Sequence, residues 1–224
     1  MFDCHTLIIS DIHLGARVCR VDKVLKLLQE ATFAHLIING DLFDSNSRHR
    51  LNQKHQQVVA LLENIAKKKK VTLISGNHGR KLDLEIGKTG IEIRDDLIFT
   101  IGDNRFLCIH GDQFDFFTTH LPRTSKVAGD LYHLLQKFSG SQQRFSMLTK
   151  RLSKYILRVP SRQQKLALRH ATKHDISVII CSHTHLPHQD TSNDVHFINT
   201  GSFCETPCHF VTIDEQGKPQ LQSI

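Results

Sequence analysis

The chain lacks any apolar run near the ~20 residues that a membrane-spanning helix needs, which excludes a helical membrane protein. Its first residues, Met1-Phe2-Asp3-Cys4-His5, lack a basic stretch, and Leu7-Ile8-Ile9 is too short for a secretory apolar segment. The expected location is therefore cytoplasmic, with peripheral contact at the inner membrane face left open. Cys-x-x-Cys spacing is also missing. Cys4, Cys19, Cys108, Cys181, Cys204 and Cys208 are scattered, and the Cys204/Cys208 pair has no second pair to complete a zinc ribbon. They are expected to be small buried hydrophobes in a reducing compartment. Internal repeats and low-complexity tracts are absent. What remains, 224 residues with 39% hydrophobic and 23% charged, suits one full-sized soluble domain carrying an insertion.

Acidic residues are nearly missing from one segment. Twelve of the 29 Lys and Arg, but one of the 22 acids (Asp130), lie between Arg123 and Lys173, so that segment carries +11 and the remainder −4. Within it Phe145, Leu148, Leu152, Tyr155, Ile156 and Val159 recur at helical spacing, with Arg144, Lys150, Arg151, Lys154 and Arg158 mostly elsewhere around the helix. Pro160 is expected to end this helix and Ser161 to cap another running to about Lys173. Residues 113–175 thus read as a basic helical cap inserted into a core made of 1–112 and 176–224. Lysines and arginines at helical spacing ordinarily form a solvated face. The twelve-to-one imbalance instead suggests a positive field that attracts phosphates or an anionic membrane.

Around the insertion, strands and helices alternate. Thr6 to Ser10, Leu36 to Ile38 and Val71 to Ser75 read as strands, separated by helices over Val21 to Ala31 and about Asn52 to Lys68. This βαβαβ rhythm predicts parallel strands with helices packed on them. Further strands follow at Ile91 to Ile93, Leu97 to Ile101 and Phe106 to Ile109, with a hairpin turn at Gly102-Asp103-Asn104. Ile176 to Cys181, His196 to Asn199 and Phe210 to Ile213 complete the set. So many strands in this length suggest two sheets packed face to face.

Five of the apolar runs stop at residues able to bind a metal ion. They lead into Asp11-Ile12-His13, Gly40-Asp41-Leu42-Phe43-Asp44, Gly76-Asn77-His78, His110-Gly111-Asp112 and His183-Thr184-His185. Sites in such sheets collect where strands give way to loops at one edge. Asp11, His13, Asp41, Asn77, His110, His183 and His185 offer two carboxylates, one amide oxygen and four imidazoles, a set suited to two divalent ions. Paired ions of this kind stabilise both the attacking and the leaving oxygen of an in-line displacement. Asp11 or Asp41 alone would be an ordinary turn residue. His35, His49, His55, His133, His170, His174, His196 and His209 need no role beyond surface or packing.

These five segments, in this order, resemble the motifs of the calcineurin-like metallophosphoesterases. The resemblance implies a four-layer α/β/β/α sandwich in the α/β class. It implies one ion on Asp11, His13, Asp41 and His185 and another on Asp41, Asn77, His110 and His183, with His78 as the catalytic histidine near the leaving group. Manganese is the expected metal, with iron or zinc also suited to the set. Two positions depart from the pattern: Ser182 replaces a glycine, and Gly79 replaces the acid that follows the catalytic histidine, a role open to Asp44 or Asp112.

A narrower resemblance rests on Ser10 to Gly15, on His110-Gly111-Asp112 followed by a helical insertion, and on Asn199-Thr200-Gly201-Ser202-Phe203. It is to the UDP-2,3-diacylglucosamine pyrophosphohydrolases of lipid A synthesis. It implies a phosphorylated small-molecule or lipid-linked nucleotide substrate beneath the cap, with Arg80, Arg151, Lys154 and Arg158 as candidate substrate contacts. A phosphodiesterase or nuclease, with the cap clamping a nucleic-acid backbone, is the alternative enzyme. A non-catalytic scaffold on the same fold fits less well, because all seven ligand positions are filled.

Overall fold

A computed structural model describes residues 2–114, 158–192 and 194–224 of the protein. The first half follows the expected rhythm: β1 (Thr6–Ile9), α1 (Val21–Glu30), β2 (His35–Asn39), α2 (Gln53–Ala66) and β3 (Lys70–Ile74). A short helix α3 (Arg80–Ile86) then leads to β4 (Glu92–Arg94), β5 (Asp96–Ile101) and β6 (Asn104–Ile109). Residues 158–224 supply α4 (Arg158–Lys173), β7 (Val178–Cys181), β8 (His188–Ser192), β9 (Val195–Asn199), β10 (His209–Ile213) and β11 (Pro219–Ser223). Among the described residues no helix is long and apolar enough to cross a membrane.

Two sheets form, of order β11-β10-β1-β2-β3-β4 and β5-β6-β7-β9-β8. Strands β1 to β4 run parallel, as do β6, β7 and β9, and antiparallel strands flank each set. Strands buried on both faces read as continuous apolar runs, which is why Leu7-Ile8-Ile9 and Leu36-Ile37-Ile38 show no polar alternation. Their side chains still alternate in destination. Leu7, Ile9, Leu36 and Ile38 pack toward Val24 and Leu27 of α1 and Val58 and Leu62 of α2. Ile8 and Ile37 point the other way, into a core shared with Phe106, Cys108, Val178 and Ile180 of the second sheet. On the far side of that sheet Leu107, Ile109, Ile179 and Phe197 meet Ala167 and Ala171 of α4. Three cores between four layers make an α/β/β/α sandwich, and each fully buried Ile or Leu contributes roughly 1.5–3 kcal/mol.

Several elements differ from the sequence expectation. Helix α4, described from Arg158, runs through Pro160 and Ser161 rather than starting after Ser161. Residues 158–173 thereby form the outer helical layer of the second sheet. The apolar stripe from Phe145 to Ile156, together with Arg151 and Lys154, lies outside the described residues. Strand β4 joins the first sheet parallel to β3, because α3 supplies a crossover that seven residues without an extended apolar period do not announce. Strands β8 and β11 are edge strands of polar sequence, His-Gln-Asp-Thr-Ser and Pro-Gln-Leu-Gln-Ser, a composition that protects edges and hides them from hydropathy.

Asp83 on α3 is fully buried, and neither carboxylate oxygen has a hydrogen-bond partner among the described residues. Burial, reinforced by the charge of Asp41, pushes its carboxyl up to about 7. The folded protein holds this proton more tightly than the unfolded chain, where Asp titrates near ~4. Its contribution to stability is therefore full below about pH 4 and lost as pH rises through about 7. In metal-free protein, Asp83→Asn should raise the melting temperature at pH 8 by roughly 3 °C or more, with no gain at pH 4. Equal melting temperatures at pH 8 would contradict this.

Candidate metal centre

The strand-end segments leave their strands by a sharp backbone turn. Asp11, His13, Asp41, His183 and His185 have φ of 47°, 51°, 49°, 72° and 60°, five of the seven positive-φ non-glycine residues among those described. Such left-handed conformations cost of the order of 1–3 kcal/mol each and concentrate where function fixes a side chain. Gly40, between β2 and Asp41, is required for a different reason: a Cβ there would lie 2.0 Å from Nδ1 of His110.

The turns bring all seven predicted ligands together. Asp11 and Asp41 are buried, as are His13 and His110. Nε2 of His185 lies 3.3 Å from Oδ1 of Asp11 and 3.2 Å from Nε2 of His13. Oδ2 of Asp41 stands between two histidines, 3.6 Å from Nε2 of His13 and 3.4 Å from Nε2 of His110. On the far side, Oδ1 of Asn77 is 3.2 Å from Nε2 of His110 and 3.0 Å from Nδ1 of His183. Two groups of donors therefore share Asp41.

The electrostatics show what this arrangement demands. Burial opposes ionisation of both carboxylates, yet His185 beside Asp11 and His110 beside Asp41 hold them below the usual carboxylate range. Burial also acts on the imidazoles, pushing His13 down to about 4. At His110 burial is outweighed by Asp41 and Asp11, which lift it to about 10. The pair of carboxylates thus draws positive charge to itself. Oδ1 of Asp11 is buried, faces the ring nitrogens of His185 and His13 at 3.3 and 4.0 Å and makes no well-formed hydrogen bond among the described residues, while ligand atoms of Asp11, His13 and His185 lie within 4.8 Å of one another. Divalent ions held by Asp11, His13, Asp41, Asn77, His110, His183 and His185 would supply that compensation, and the mixed oxygen and nitrogen donors fit them.

The calcineurin-like phosphoesterase pattern matches residues 4–187. The chain belongs to that family. No curated protein matches it, whereas solved structures share its fold. An archaeal phosphodiesterase is 17% identical with a TM-score of 0.53, covering 98% of this chain and 99% of its own. Chaetomium thermophilum Vps29 is 15% identical with a TM-score of 0.52, covering 100% and 96%. Hypothetical protein PH1004 from Pyrococcus horikoshii OT3 is 12% identical with a TM-score of 0.57, covering 100% and 88%.

Both departures from the phosphoesterase motif pattern have physical explanations. Ser182 is a working substitution for glycine. Its hydroxyl donates to the backbone oxygen of Asn39 and lies 2.9 Å from Nδ1 of His110, which also approaches that oxygen at 3.1 Å. Nδ1–H of His110 is thereby tied to Asn39, leaving Nε2 for the centre. At Gly79 no acid fits. Its φ is +64°, and a Cβ would lie 2.6 Å from both the Cβ and the backbone oxygen of Phe43. The partner of the His78 ring is instead the backbone carbonyl of Asp44, 3.2 Å from Nδ1, and the His78 amide donates to Oδ1 of Asp41 at 2.9 Å.

Arg80 pairs with Asp95 at 3.1 Å on the surface. Arg158 is the first described residue of α4, and its side chain lies outside the described residues, as do Arg151 and Lys154.

Three buried amides were not singled out by sequence reasoning as supports of the centre. Asn39 donates across the sandwich to the carbonyls of Ile109 and Ile180 at 3.2 and 3.3 Å, stitching β2 to β6 and β7. Gln163 of α4 donates to the carbonyl of Ser182 at 2.9 Å and approaches that of Gly111 at 3.4 Å. Asn199 completes the network by donating to Gln163 and to Ser182, both at 3.0 Å. An Asn as the last residue of an apolar strand was the available signal for Asn39 and Asn199, whereas Gln163 was hidden in a basic helix.

Gly79→Asp, which restores the usual acid, should destabilise the protein by roughly 2 kcal/mol or more from backbone strain and collision. Chemical denaturation checks this, and unchanged stability would refute the steric account. Gln163→Leu should weaken metal binding by about 10- to 100-fold through the His110 and His183 loops. Calorimetric titration with Mn²⁺ measures it, and unaltered affinity would show that the amide strap is idle.

Proposed function

We propose that this phosphoesterase is a binuclear metal hydrolase of phosphoester or pyrophosphate bonds, acting on a nucleotide-linked pyrophosphate with a lipid-like portion in the manner of the UDP-2,3-diacylglucosamine pyrophosphohydrolases. The observation that carries the hydrolytic reading is the pair of buried carboxylates, Asp11 and Asp41, ringed by four imidazoles and one amide at the ends of five strands. In this reading Asp11, His13, Asp41 and His185 hold one ion, and Asp41, Asn77, His110 and His183 hold the other, with manganese the expected metal. When bound, the ions supply Lewis-acid stabilisation of charge on the phosphoryl oxygens.

The chain's own residues supply the rest. Asp41 holds the two halves of the centre in register and accepts the amide proton of His78. His78 is exposed, and with Nδ1 held by Asp44 its Nε2 is the ring nitrogen left for a proton at the leaving oxygen. The lipid-linked substrate rests on the narrower sequence resemblance and on the apolar stripe of 145–156. Arg151, Lys154 and Arg158 are proposed to meet phosphates, headgroups or an anionic membrane surface. The alternative of nucleic-acid cleavage draws on the +11 charge of the same segment.

Asp41→Asn should reduce hydrolysis of a simple phosphodiester by about 10³-fold or more, since it weakens the ligand shared by both ions. Near-normal turnover would overturn the hydrolytic reading. His78→Ala should cost of the order of 10² to 10⁴, and less for substrates with good leaving groups. For the substrate, Leu152→Asn should raise KM for a diacylated nucleotide sugar while sparing a water-soluble diester, because each buried CH₂ contributes about 0.8 kcal/mol. If Arg151 and Lys154 reversals dominate instead, with steep salt dependence on DNA or RNA, the substrate is nucleic acid.

A further inference from the structure

A cleft of about 590 Å³ opens between the loop joining β1 to α1 and the start of α2, and the hydrolytic function draws on none of its residues. That volume lies within the range of small-molecule sites. Its wall continues directly from the metal centre. Gly15 and Ala16 follow His13, with the Ala16 amide donating to the His13 carbonyl at 2.9 Å. Arg50, on the opposite wall, is ion-paired with Asp44, whose other oxygen lies 3.9 Å from Nδ1 of His13.

Five cations line this cleft, Arg17, Arg20, Lys23, Arg50 and Lys54, against one acid, Asp22. Lys54 is neutralised by Asp22 and Arg50 by Asp44. Arg17, Arg20 and Lys23 form no ion pair among the described residues. Arg48, Arg80 and Arg94 are paired with Glu85, Asp95 and Glu92, whereas Lys26, Lys81 and Lys88 form no ion pair among the described residues, so what sets Arg17, Arg20 and Lys23 apart is that they meet in one cleft. A merely solvated basic face has no need to be concave, nor to gather cations from a loop, a helix and a second helix's approach. The first turn of α1 opens into the same space, and its N-cap residue Arg20 provides no side-chain acceptor. The leading amides add to the positive potential there.

We propose that this cleft is an anion subsite of the same centre, taking a phosphate group of the substrate that is separate from the reacting phosphorus. The proposal rests on the hydrolytic reading above and deepens it. Metal ions at the strand ends would compensate charge on the reacting phosphoryl group. A second phosphate, as in a nucleotide-linked pyrophosphate, brings further negative charge that the ligand set does not meet. Three unpaired cations one step beyond His13 meet it, and a substrate with one phosphate leaves them idle.

The test uses the full chain and the Arg17→Gln, Arg20→Gln and Lys23→Gln variants, singly and combined. With Mn²⁺ present, kcat/KM is compared for a nucleoside diphosphate sugar and for bis-p-nitrophenyl phosphate, which has a single phosphate. Each lost cation should lower the first about tenfold more than the second, mainly through KM, with the difference shrinking at high salt. Equal losses on both substrates, or none, would overturn the subsite. Titration of inorganic pyrophosphate into metal-free protein decides the matter independently of turnover. Wild type should bind and the triple variant should not, and indistinguishable binding would refute the proposal. A wild-type protein that hydrolyses neither substrate but loses pyrophosphate binding in the triple variant would sink the hydrolytic reading and leave the anion site standing.

Discussion

Asp11 and Asp41 are two carboxylates removed from water within one small volume, and an isolated buried carboxylate costs far more than the net stability of a domain. They are tolerable only with positive charge beside them, and the fold provides four imidazoles and room for divalent ions. This requirement accounts for features that otherwise look unrelated. Five donor residues accept left-handed backbone conformations. Gly40 leaves space for the His110 ring. Ser182 and the Asn39 carbonyl fix which nitrogen of His110 faces inward.

The two-sheet sandwich makes such a site possible by bringing the ends of β1, β2 and β3 against those of β6 and β7. Apolar packing between Ile8, Ile37, Phe106 and Ile180 sets the distance between the sheets, but it is non-directional and does not fix their register at the rim. Directional bonds do that. The Asn39 amide spans the gap, Ser10 meets Thr200, and Gln163 ties the outer helix to the Ser182 loop. Hydrogen bonds in a low-dielectric interior resist sliding, and these hold the donor loops in register.

Most of the inner architecture was legible because the physics that builds it is local. A strand covered on both faces must be continuously apolar, and β1, β2, β3, β6 and β7 announce themselves so, each followed by a polar residue that apolar packing would not choose. The outer architecture was less legible. Strands β8 and β11 are polar because edges must avoid pairing with other chains. Helix α3 is too short for a periodicity, and Pro160 reads as a stop although α4 runs through it. At the site, ligand identity came from residue type and position, but its support did not. That Gly79 excludes an acid depends on Phe43, 36 positions away in sequence, and that Ser182 orients His110 depends on a ring 72 positions away.

Asp41 reaches both donor groups, and in a two-ion centre its carboxylate would mark the midpoint. Anomalous diffraction from crystals soaked in Mn²⁺ tests it most directly. Two peaks about 3.5–4 Å apart are expected, one among Asp11, His13 and His185 and the other among Asn77, His110 and His183, with Asp41 touching both. Full-occupancy manganese at exposed acids alone, with no peak beside Asp41, would contradict it.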